Sequence, residues 1–281
     1  MKNVYYFVLV TLFFTSLISS KAIGQMQQDS VEMGPGYAND IYYSMQDGFI
    51  SSVDRKNWDL GFYTSAWSAG IIINDGNGAE LYLYPNADTS GWMSVDTTGL
   101  STWTVLYNSV DDCEMGAFNI NEKGHPDYGW GVYNTINHDV VGDSLYIIKL
   151  MNGSDAMYKK LWIERKISIQ NTYIFKYADL DGSNEHQETL VATPYTSKNF
   201  IYYSLQTNEV LDREPNSDSW DILFTKYNTI LEEGSPYIVT GVVTMLMCHL
   251  NNLMMLVPIL MIGGHCLLIL QGYPLATSER I

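Results

Sequence analysis

Short runs in which apolar and polar residues alternate occupy the chain from Tyr37 onward. A period of two places successive side chains on opposite faces, as in a half-buried β-strand. No window shows the 3.6-residue period with capping residues that predicts a helix. The pattern therefore predicts an all-β or mostly β fold of antiparallel sheets, similar to a β-sandwich. Its clearest strands cover residues 71–73, 80–84, 144–148 and 160–164.

Polar segments that contain glycine separate these strands, and such segments predict hairpin turns. They lie at residues 74–78, 97–99, 152–154 and 181–183. Aromatic residues make up 13% of the chain, with 21 Tyr and 7 Trp, which is typical of sheets rather than of helical bundles.

The chain also contains an internal repeat. Residues 41–46 (IYYSMQ) recur as 201–206 (IYYSLQ), and residues 57–62 (NWDLGF) recur as 219–224 (SWDILF). Each copy joins a Tyr-rich strand to a W-D-x-x-F strand, in which Trp and Phe share one face, and we expect these rings to be core aromatics. The repeat predicts a first β unit over residues 25–190 and the start of a truncated second unit over residues 191–242.

The N-terminus has the pattern of a secretory signal peptide over residues 1–24. Lys2 supplies the positive charge, an apolar run follows over residues 4–18, and Ala22-Ile23-Gly24 is a cleavage site of small residues. The apolar run is shorter than the ~20 residues of a membrane-spanning helix. No cysteine lies near the site, so we predict soluble export with a mature chain that starts at Gln25.

The C-terminal segment, residues 243–281, does not match the rest of the chain, because residues 234–278 contain no charged side chain. One explanation is a membrane-inserted hairpin. The other, which we favour, is a slipped reading frame. Joining the last base of each codon to the first two of the next turns every Met into Asp, Asn, His or Tyr and restores an acidic sequence. Membrane association is expected only if the segment is genuine.

The net charge of the chain restricts the classes of partner that it is expected to bind. The chain has 31 Asp and Glu against 15 Lys and Arg, a formal charge of −16, which disfavours nucleic acids and anionic membrane surfaces. Its three cysteines are too few and too irregularly spaced for a disulfide framework or a zinc site, so we expect stability to come from the core.

Several strand sequences, in order, resemble those of the HmuY-like haem-binding proteins of Bacteroidetes. They are residues 58–63 (WDLGFY), 144–150 (SLYIIKL), 158–163 (YKKLWI), 172–178 (TYIFKYA), 219–227 (SWDILFTKY) and 237–242 (YIVTGV). The resemblance implies an exported, mostly β protein that in some members holds haem through axial side chains. Other double-unit relatives use type IX secretion and carry a C-terminal sorting domain. This chain lacks the lipoprotein cysteine of several members, and nothing after Val242 resembles a sorting domain.

Candidate haem ligands follow from side-chain chemistry. Neutral imidazole is the commonest axial ligand of haem iron, so His125 and His138, from two hairpins, are the first candidates. An exposed turn for His125 and a hydrogen-bonded loop for His138 are the alternatives. The thioethers of Met45 and Met115 are the next candidates, although such side chains more often fill gaps in cores.

Asp179 and Asp181 belong to a segment with oxygen donors at alternate positions, as in a calcium loop, but without the distal Glu of an EF-hand. A plain hairpin turn is the alternative.

No catalytic motif occurs, so we expect no enzyme activity. The expected function is that of a secreted or cell-surface protein that binds haem, a porphyrin or a related small ligand, with an outer-membrane receptor as a further partner. The alternative is a structural or adhesive surface module that binds a glycan or a protein.

Overall fold

A computed structural model describes residues 27–244, 259–262 and 265–270, with side chains described for residues 28–244. The chain is built from strands, and the only helical segments among the described residues are short 3₁₀ turns. The strands are β1 (Gln27–Glu32), β2 (Asn39–Ser44), β3 (Gly48–Asp54), β4 (Leu60–Tyr63), β5 (Ile71–Ile73), β6 (Glu80–Leu83), β7 (Val105–Leu106), β8 (Gly131–Tyr133), β9 (Val140–Gly142), β10 (Tyr146–Asn152), β11 (Asp155–Ile167), β12 (Thr172–Asp179), β13 (His186–Val191), β14 (Phe200–Ser204), β15 (Glu209–Leu211), β16 (Ile222–Ile230), β17 (Pro236–Thr244), β18 (Ile259–Ile262) and β19 (His265–Leu270).

The described residues from Val31 to Thr244 belong to one compact unit with three antiparallel sheets. The largest sheet has the order β13-β12-β11-β10-β6-β7, and the β8-β9 hairpin joins it through β11. The other two have the orders β15-β14-β4-β5 and β17-β16-β2-β3. This architecture confirms the prediction of an antiparallel, all-β fold, and the four predicted strands fall in β5, β6, β10 and β11.

One hydrophobic core joins the largest sheet to the β15-β14-β4-β5 sheet, as in a β-sandwich. Phe62 of β4 stacks on Phe175 of β12, with ring centroids 5.0 Å apart. Alternate residues of the central strands point into this core, for example Leu161 and Ile163 of β11, and both of these side chains are fully buried.

The two copies of the repeat exchange partners. The W-D-x-x-F strand of the first copy, β4, pairs with the Tyr-rich strand of the second, β14. The W-D-x-x-F strand of the second copy, β16, pairs with the Tyr-rich strand of the first, β2. Each four-stranded sheet therefore contains one hairpin from each copy, so residues 191–244 complete sheets that residues 25–190 begin.

Two of the four predicted hairpin turns are confirmed. Residues 152–154 join β10 to β11, and residues 181–183 join β12 to β13. Residues 97–99 instead lead into a 3₁₀ turn. Residues 74–78 connect β5 and β6, which lie in different sheets. There Gly76 packs against β16 so closely that a Cβ would lie 1.9 Å from the Lys226 carbonyl oxygen, and this tertiary contact replaces a hairpin.

The expectation that Trp and Phe of the W-D-x-x-F strand share one face is wrong. Phe62 lies in the main core, whereas Trp58 belongs to a separate cluster with Tyr63, Phe200 and Tyr202. The reason is that β4 begins only at Leu60. Trp58 precedes the strand, and the period of two does not extend to it.

The C-terminal segment lies mostly outside the described residues, as does the proposed signal peptide. The described part, β18 and β19, forms an antiparallel pair in a three-stranded sheet with β1, rather than the two apolar helices of a membrane hairpin. Where the structure is described, we find no helix with the length and apolar composition needed to cross a bilayer.

Candidate functional site

The side chains of His125 and His138 both contact the ring of Tyr133, the last residue of β8. The imidazole centroids of His125 and His138 are 5.1 Å and 5.9 Å from the centroid of the Tyr133 ring. The hydroxyl of Tyr133 is hydrogen-bonded to Nδ1 of His138. The indole of Trp67 meets the His138 ring edge-on at 6.2 Å. We call these four residues the histidine cluster.

A tight loop between β8 and β9 presents His138. The backbone N–H of Asn134 donates to the carbonyl of Asp139, and that of His138 donates to the carbonyl of Asn134. His138 adopts a φ of 65°, in the left-handed region, which His tolerates better than most residues. The loop therefore fixes both the backbone and, through Tyr133, the ring of His138.

The histidine cluster is open to solvent, and exposed apolar side chains belong to it or to its loop. Trp67 is 70% exposed and Ile136, in the same loop as His138, is 89% exposed. His125 is also exposed, and the cleft beside Trp67 and Tyr133 has a volume of only about 20 Å³. A ligand here would lie on a surface patch rather than inside a pocket.

The histidine cluster contains two imidazoles, the type of side chain that most often ligates haem iron. In the tautomer in which Nδ1–H donates to Tyr133, Nε2 of His138 is the free ring nitrogen, which is the usual arrangement of a metal-ligating histidine. His125 is the second imidazole within reach of the same patch, and exposed Trp67 and Ile136 offer apolar surface to a flat macrocycle.

Met45 and Met115 lie apart in the chain from this hairpin and are half-buried. Met45 follows β2, and its backbone N–H donates to Asp221 Oδ2 at 2.7 Å. Met115 lies in the segment between β7 and β8, where its N–H donates to the carbonyl of Asp112. The structure therefore brings the two histidines together. Met45 instead follows β2 in the first copy of the repeat, and Met115 lies between β7 and β8.

Asp179 is the last residue of β12, and Asp181 lies in the hairpin loop between β12 and β13. Asp179 Oδ1 accepts from Lys159 Nζ at 2.8 Å, and its Oδ2 accepts from Asn184 Nδ2 at 2.7 Å. These bonds, that from Lys159 first, lower the pKa of Asp179. Asp181 accepts from Ser183. Among the residues that the structure describes, no three His, Cys, Asp or Glu side chains are grouped to hold a metal ion.

A second candidate site lies where the two copies of the repeat meet. It is a cavity of about 220 Å³, which we call the junction cavity. Its walls come from both copies and from the segment after β7. Its apolar lining residues include Trp58, Ile72, Phe200, Tyr202, Trp220 and Leu223, and about half of the lining is polar or charged.

Buried charged groups form part of the cavity wall. The guanidinium of Arg213 pairs with Asp40 at 2.7 Å, and both side chains are almost completely buried. The same guanidinium lies 5.0 Å from the Tyr202 ring centroid and 5.7 Å from that of Trp58. Burial raises the pKa of Glu214, whose carboxylate accepts from the backbone N–H groups of Asn199 and Phe200.

Three buried polar atoms in the cavity residues have no hydrogen-bond partner within the described part of the chain. They are the indole nitrogens of Trp58 and Trp220 and Oδ1 of Asn228. Each of these atoms has almost no accessible surface, so none of them offers a hydrogen bond to a molecule in the cavity.

Sequence reasoning missed Arg213 and its counterpart Arg55, although the signal was present. Asp54-Arg55 after the first Tyr-rich strand recurs as Asp212-Arg213 after the second. Both arginines are buried, and Arg55 donates to the carbonyls of Tyr37 and Gly76. Extending the comparison of the two copies past their aromatic residues would have identified this pair.

Cys113, another cavity residue, is disulfide-bonded, so the structure contains a cross-link that the cysteine count did not predict.

Comparison with known proteins identifies no relative. No protein-family model matches the chain, and neither the curated proteins nor the solved structures include a match.

Proposed function

We propose that this is an exported, non-catalytic ligand-binding protein and that haem or a related porphyrin is its first ligand. The observation that carries the proposal is that His125 and His138 both contact the ring of Tyr133, with the exposed apolar side chains of Trp67 and Ile136 in the same cluster and loop. The HmuY-like strand sequences and the signal-peptide pattern of residues 1–24 support the same proposal. Release to an outer-membrane receptor would be the next step for such a carrier.

In this proposal the protein contributes ligation and orientation. Ligation through Nε2 of His138 requires the tautomer with the proton on Nδ1, which then donates to the Tyr133 oxygen, and this hydrogen bond holds the ring plane. His125 supplies the second imidazole. Trp67 and Ile136 cover apolar macrocycle surface that would otherwise face water.

A haemin titration of the purified protein tests the proposal. We expect a red-shifted Soret band that saturates at one haemin per chain. Replacing His125 and His138 together by Ala should abolish the low-spin spectrum. Tyr133→Phe should weaken binding about tenfold, because it removes only the hydrogen bond to His138.

The matched control is His186→Ala. His186 stacks on Tyr177 at 5.2 Å, at the start of β13, and its loss should leave the spectrum unchanged. A double His125, His138 variant with an unchanged spectrum would exclude both ligands, and Met45→Leu and Met115→Leu would then be compared.

The second candidate function is a surface adhesive module that binds a glycan or a protein. The exposed ring of Trp67 favours it, because a flat indole of this kind stacks on sugar rings and protein surfaces. Under this alternative, haemin would bind without defined stoichiometry, and Trp67→Ala would abolish adhesion to the glycan or protein surface.

A further inference from the structure

Four connecting segments meet at one end of the two sheets that share the main core. We call them the end loops. They are residues 64–70 between β4 and β5, 134–138 between β8 and β9, 168–171 between β11 and β12, and 192–197 between β13 and β14.

Direct contacts join the end loops to one another. The side chain of Asn171 donates to the carbonyl of Thr64 at 2.7 Å, and the N–H of Ala192 donates to the carbonyl of Asn171 at 2.8 Å. The indole of Trp67 meets the ring of His138 at 6.2 Å. The four loops therefore form one continuous surface.

The end loops carry three of the most exposed apolar side chains of the protein. Trp67 is 70% exposed, Ile136 is 89% exposed and Ile169 is 74% exposed, and each belongs to a different loop. Among the side chains that the structure describes, Met93 is the one other large apolar residue with an exposure of 70% or more. Exposed apolar residues that gather on one surface mark an interaction site.

The end loops are also uncharged. They contain no Asp, Glu, Lys or Arg, although these residues make up 16% of the chain. Two ion pairs adjoin them: Arg165 lies 3.8 Å from Asp139, and Lys198 is paired with Asp212. The loops can therefore enter an apolar phase without removing a charged side chain of their own from water.

The arrangement of these side chains favours a lipid bilayer over a protein partner. Protein interfaces are closely packed patches that also form hydrogen bonds across the contact. Here the apolar side chains stand on separate loops, and two of these loops use their polar groups internally. The N–H of Trp67 donates to Ser65 Oγ, and the N–H of Ile136 donates to Asn134 Oδ1. The headgroup region of a bilayer accepts separate apolar side chains, and tryptophan is enriched there.

We propose that the end loops bind the surface of a zwitterionic phospholipid bilayer, with the side chains of Trp67, Ile136 and Ile169 inserted at the boundary between headgroups and acyl chains. An anionic bilayer is disfavoured, because the chain has a formal charge of −16. The proposal does not rest on haem binding, and it does not need the C-terminal segment.

Sedimentation of the purified protein with phosphatidylcholine vesicles, in the absence of haemin, tests the proposal. We expect the protein to sediment with the vesicles. Replacing about 30% of the lipid by phosphatidylserine should weaken binding severalfold at low salt, and about 0.5 M NaCl should reverse this loss by screening the repulsion.

Two variants locate the bilayer-binding surface. Ile136→Ser and Ile169→Ser each remove one inserted side chain, so each should lower the partition coefficient about tenfold, and the double variant should lower it about a hundredfold.

The matched control is Met93→Ser, because Met93 is 85% exposed but lies elsewhere. The carbonyl of its neighbour Trp92 accepts from Lys160, seven residues before the end of β11 and therefore roughly 20 Å along the strand from the end loops. Met93→Ser should leave the partition coefficient unchanged.

Tryptophan fluorescence reports the orientation of the bound protein. Trp67 is the one exposed tryptophan of the seven. Phosphatidylcholine with brominated acyl chains should therefore quench part of the fluorescence of the unmodified protein. Trp67→Phe keeps an apolar ring, so it should bind within about threefold of the unmodified protein but lose this quenching.

Circular dichroism establishes that each variant is folded. The proposal is overturned if the unmodified protein stays in the supernatant, or if folded Ile136→Ser and Ile169→Ser sediment as the unmodified protein does, as they would if the C-terminal segment carried the binding. Self-association that depends on Ile169, without vesicle binding, would identify a second copy of the chain as the partner and also overturn it. Vesicle binding should persist in the double His125, His138 variant, so this proposal and the haem proposal can fail separately.

Discussion

The indole of Trp58 meets the phenol ring of Tyr202 edge-on, with centroids 4.9 Å apart and planes at 76°. Trp220 and Tyr42 repeat this contact at 4.9 Å and 75°. In each pair the tryptophan belongs to one copy of the repeat and the tyrosine to the other. These side chains therefore join the two copies at the same places as the exchanged strands. Edge-on aromatic contacts stabilise both of these junctions between the copies.

The buried carboxylate of Asp59 links the two copies at the first of these junctions. Asp59 Oδ2 accepts from the backbone N–H of Leu205 at 2.7 Å and from Ser204 Oγ at 3.2 Å, and Oδ1 accepts from Gln206 Nε2 at 3.0 Å. Asp59→Ala leaves these donors without an acceptor. We expect it to lower the free energy of unfolding by about 2–4 kcal/mol, measured by urea denaturation.

The equivalent residue of the second copy provides the comparison. Asp221 is only half-buried, and its carboxylate accepts from the backbone N–H of Met45 at 2.7 Å. Asp221→Ala should therefore cost about 1 kcal/mol. Equal losses for the two variants would contradict the view that Asp59 is the stronger link between the copies.

The sequence predicted the strands and the repeat, but not how the copies pair. A period of two identifies β5 or β11 because each strand has one buried face. Pairing depends on contacts between residues that are far apart in the chain, and those of Asp59 with Ser204 and Leu205 span 145 and 146 positions. One sequence alone carries no signal for such a contact.

Burial of Asp75 makes the stability of the fold depend on pH. Burial raises the pKa of Asp75 to about 7, against an ordinary value near 3.9. Between about pH 4 and pH 7 the folded state holds a proton that the unfolded state has released, so the free energy of unfolding should fall as the pH rises. Summed over this window, the loss is about 4 kcal/mol.

Asp75→Asn should remove this fall, and urea denaturation at several pH values measures it. The amide oxygen can still accept from Asn108 Nδ2, now 3.0 Å from Oδ2, whereas the amide nitrogen cannot accept from the Asn228 N–H, now 3.4 Å from Oδ1. Asp88 is an exposed control with the opposite sign. Hydrogen bonds from Ser90 lower its pKa, so Asp88→Asn should reduce stability above about pH 4. If the free energy of unfolding of the unmodified protein changed with pH in the same way as that of Asp75→Asn, the pH dependence would not come from Asp75.

The two candidate sites differ in how far the sequence could identify them. His125 and His138 were recognisable from their chemistry, but their shared contact with Tyr133 arises only when β8 and its flanking loops fold. The junction cavity was not predictable, because its walls come from both copies of the repeat and from the segment after β7. Its aromatic residues have the same sequence pattern as ordinary core residues.

The pairing of β17 gives a direct test of the slipped reading frame. In the first copy Ile73 pairs with Leu60, and in the second Thr244 pairs with Ile222, two residues after the equivalent tryptophan. The residue that follows Ile73 is Asn74, whose side chain donates to the carbonyls of Arg55 and Trp58 at 2.8 Å and 2.9 Å. The residue that follows Thr244 is Met245, whose thioether cannot donate in this way.

In the shifted frame the last base of the Thr244 codon joins the AT of the Met245 codon. The new codon specifies Asn only if the Thr244 codon is ACA, whereas ACG, ACC and ACT give Asp, His and Tyr. The carbonyls of Arg213 and Trp220 are the counterparts in the second copy of those of Arg55 and Trp58, and an amide can donate to such a pair whereas a carboxylate cannot. We therefore expect sequencing of the locus to show ACA at Thr244. An ACG codon, or a stop codon shortly downstream in the shifted frame, would count against a slipped frame and favour a genuine C-terminal segment.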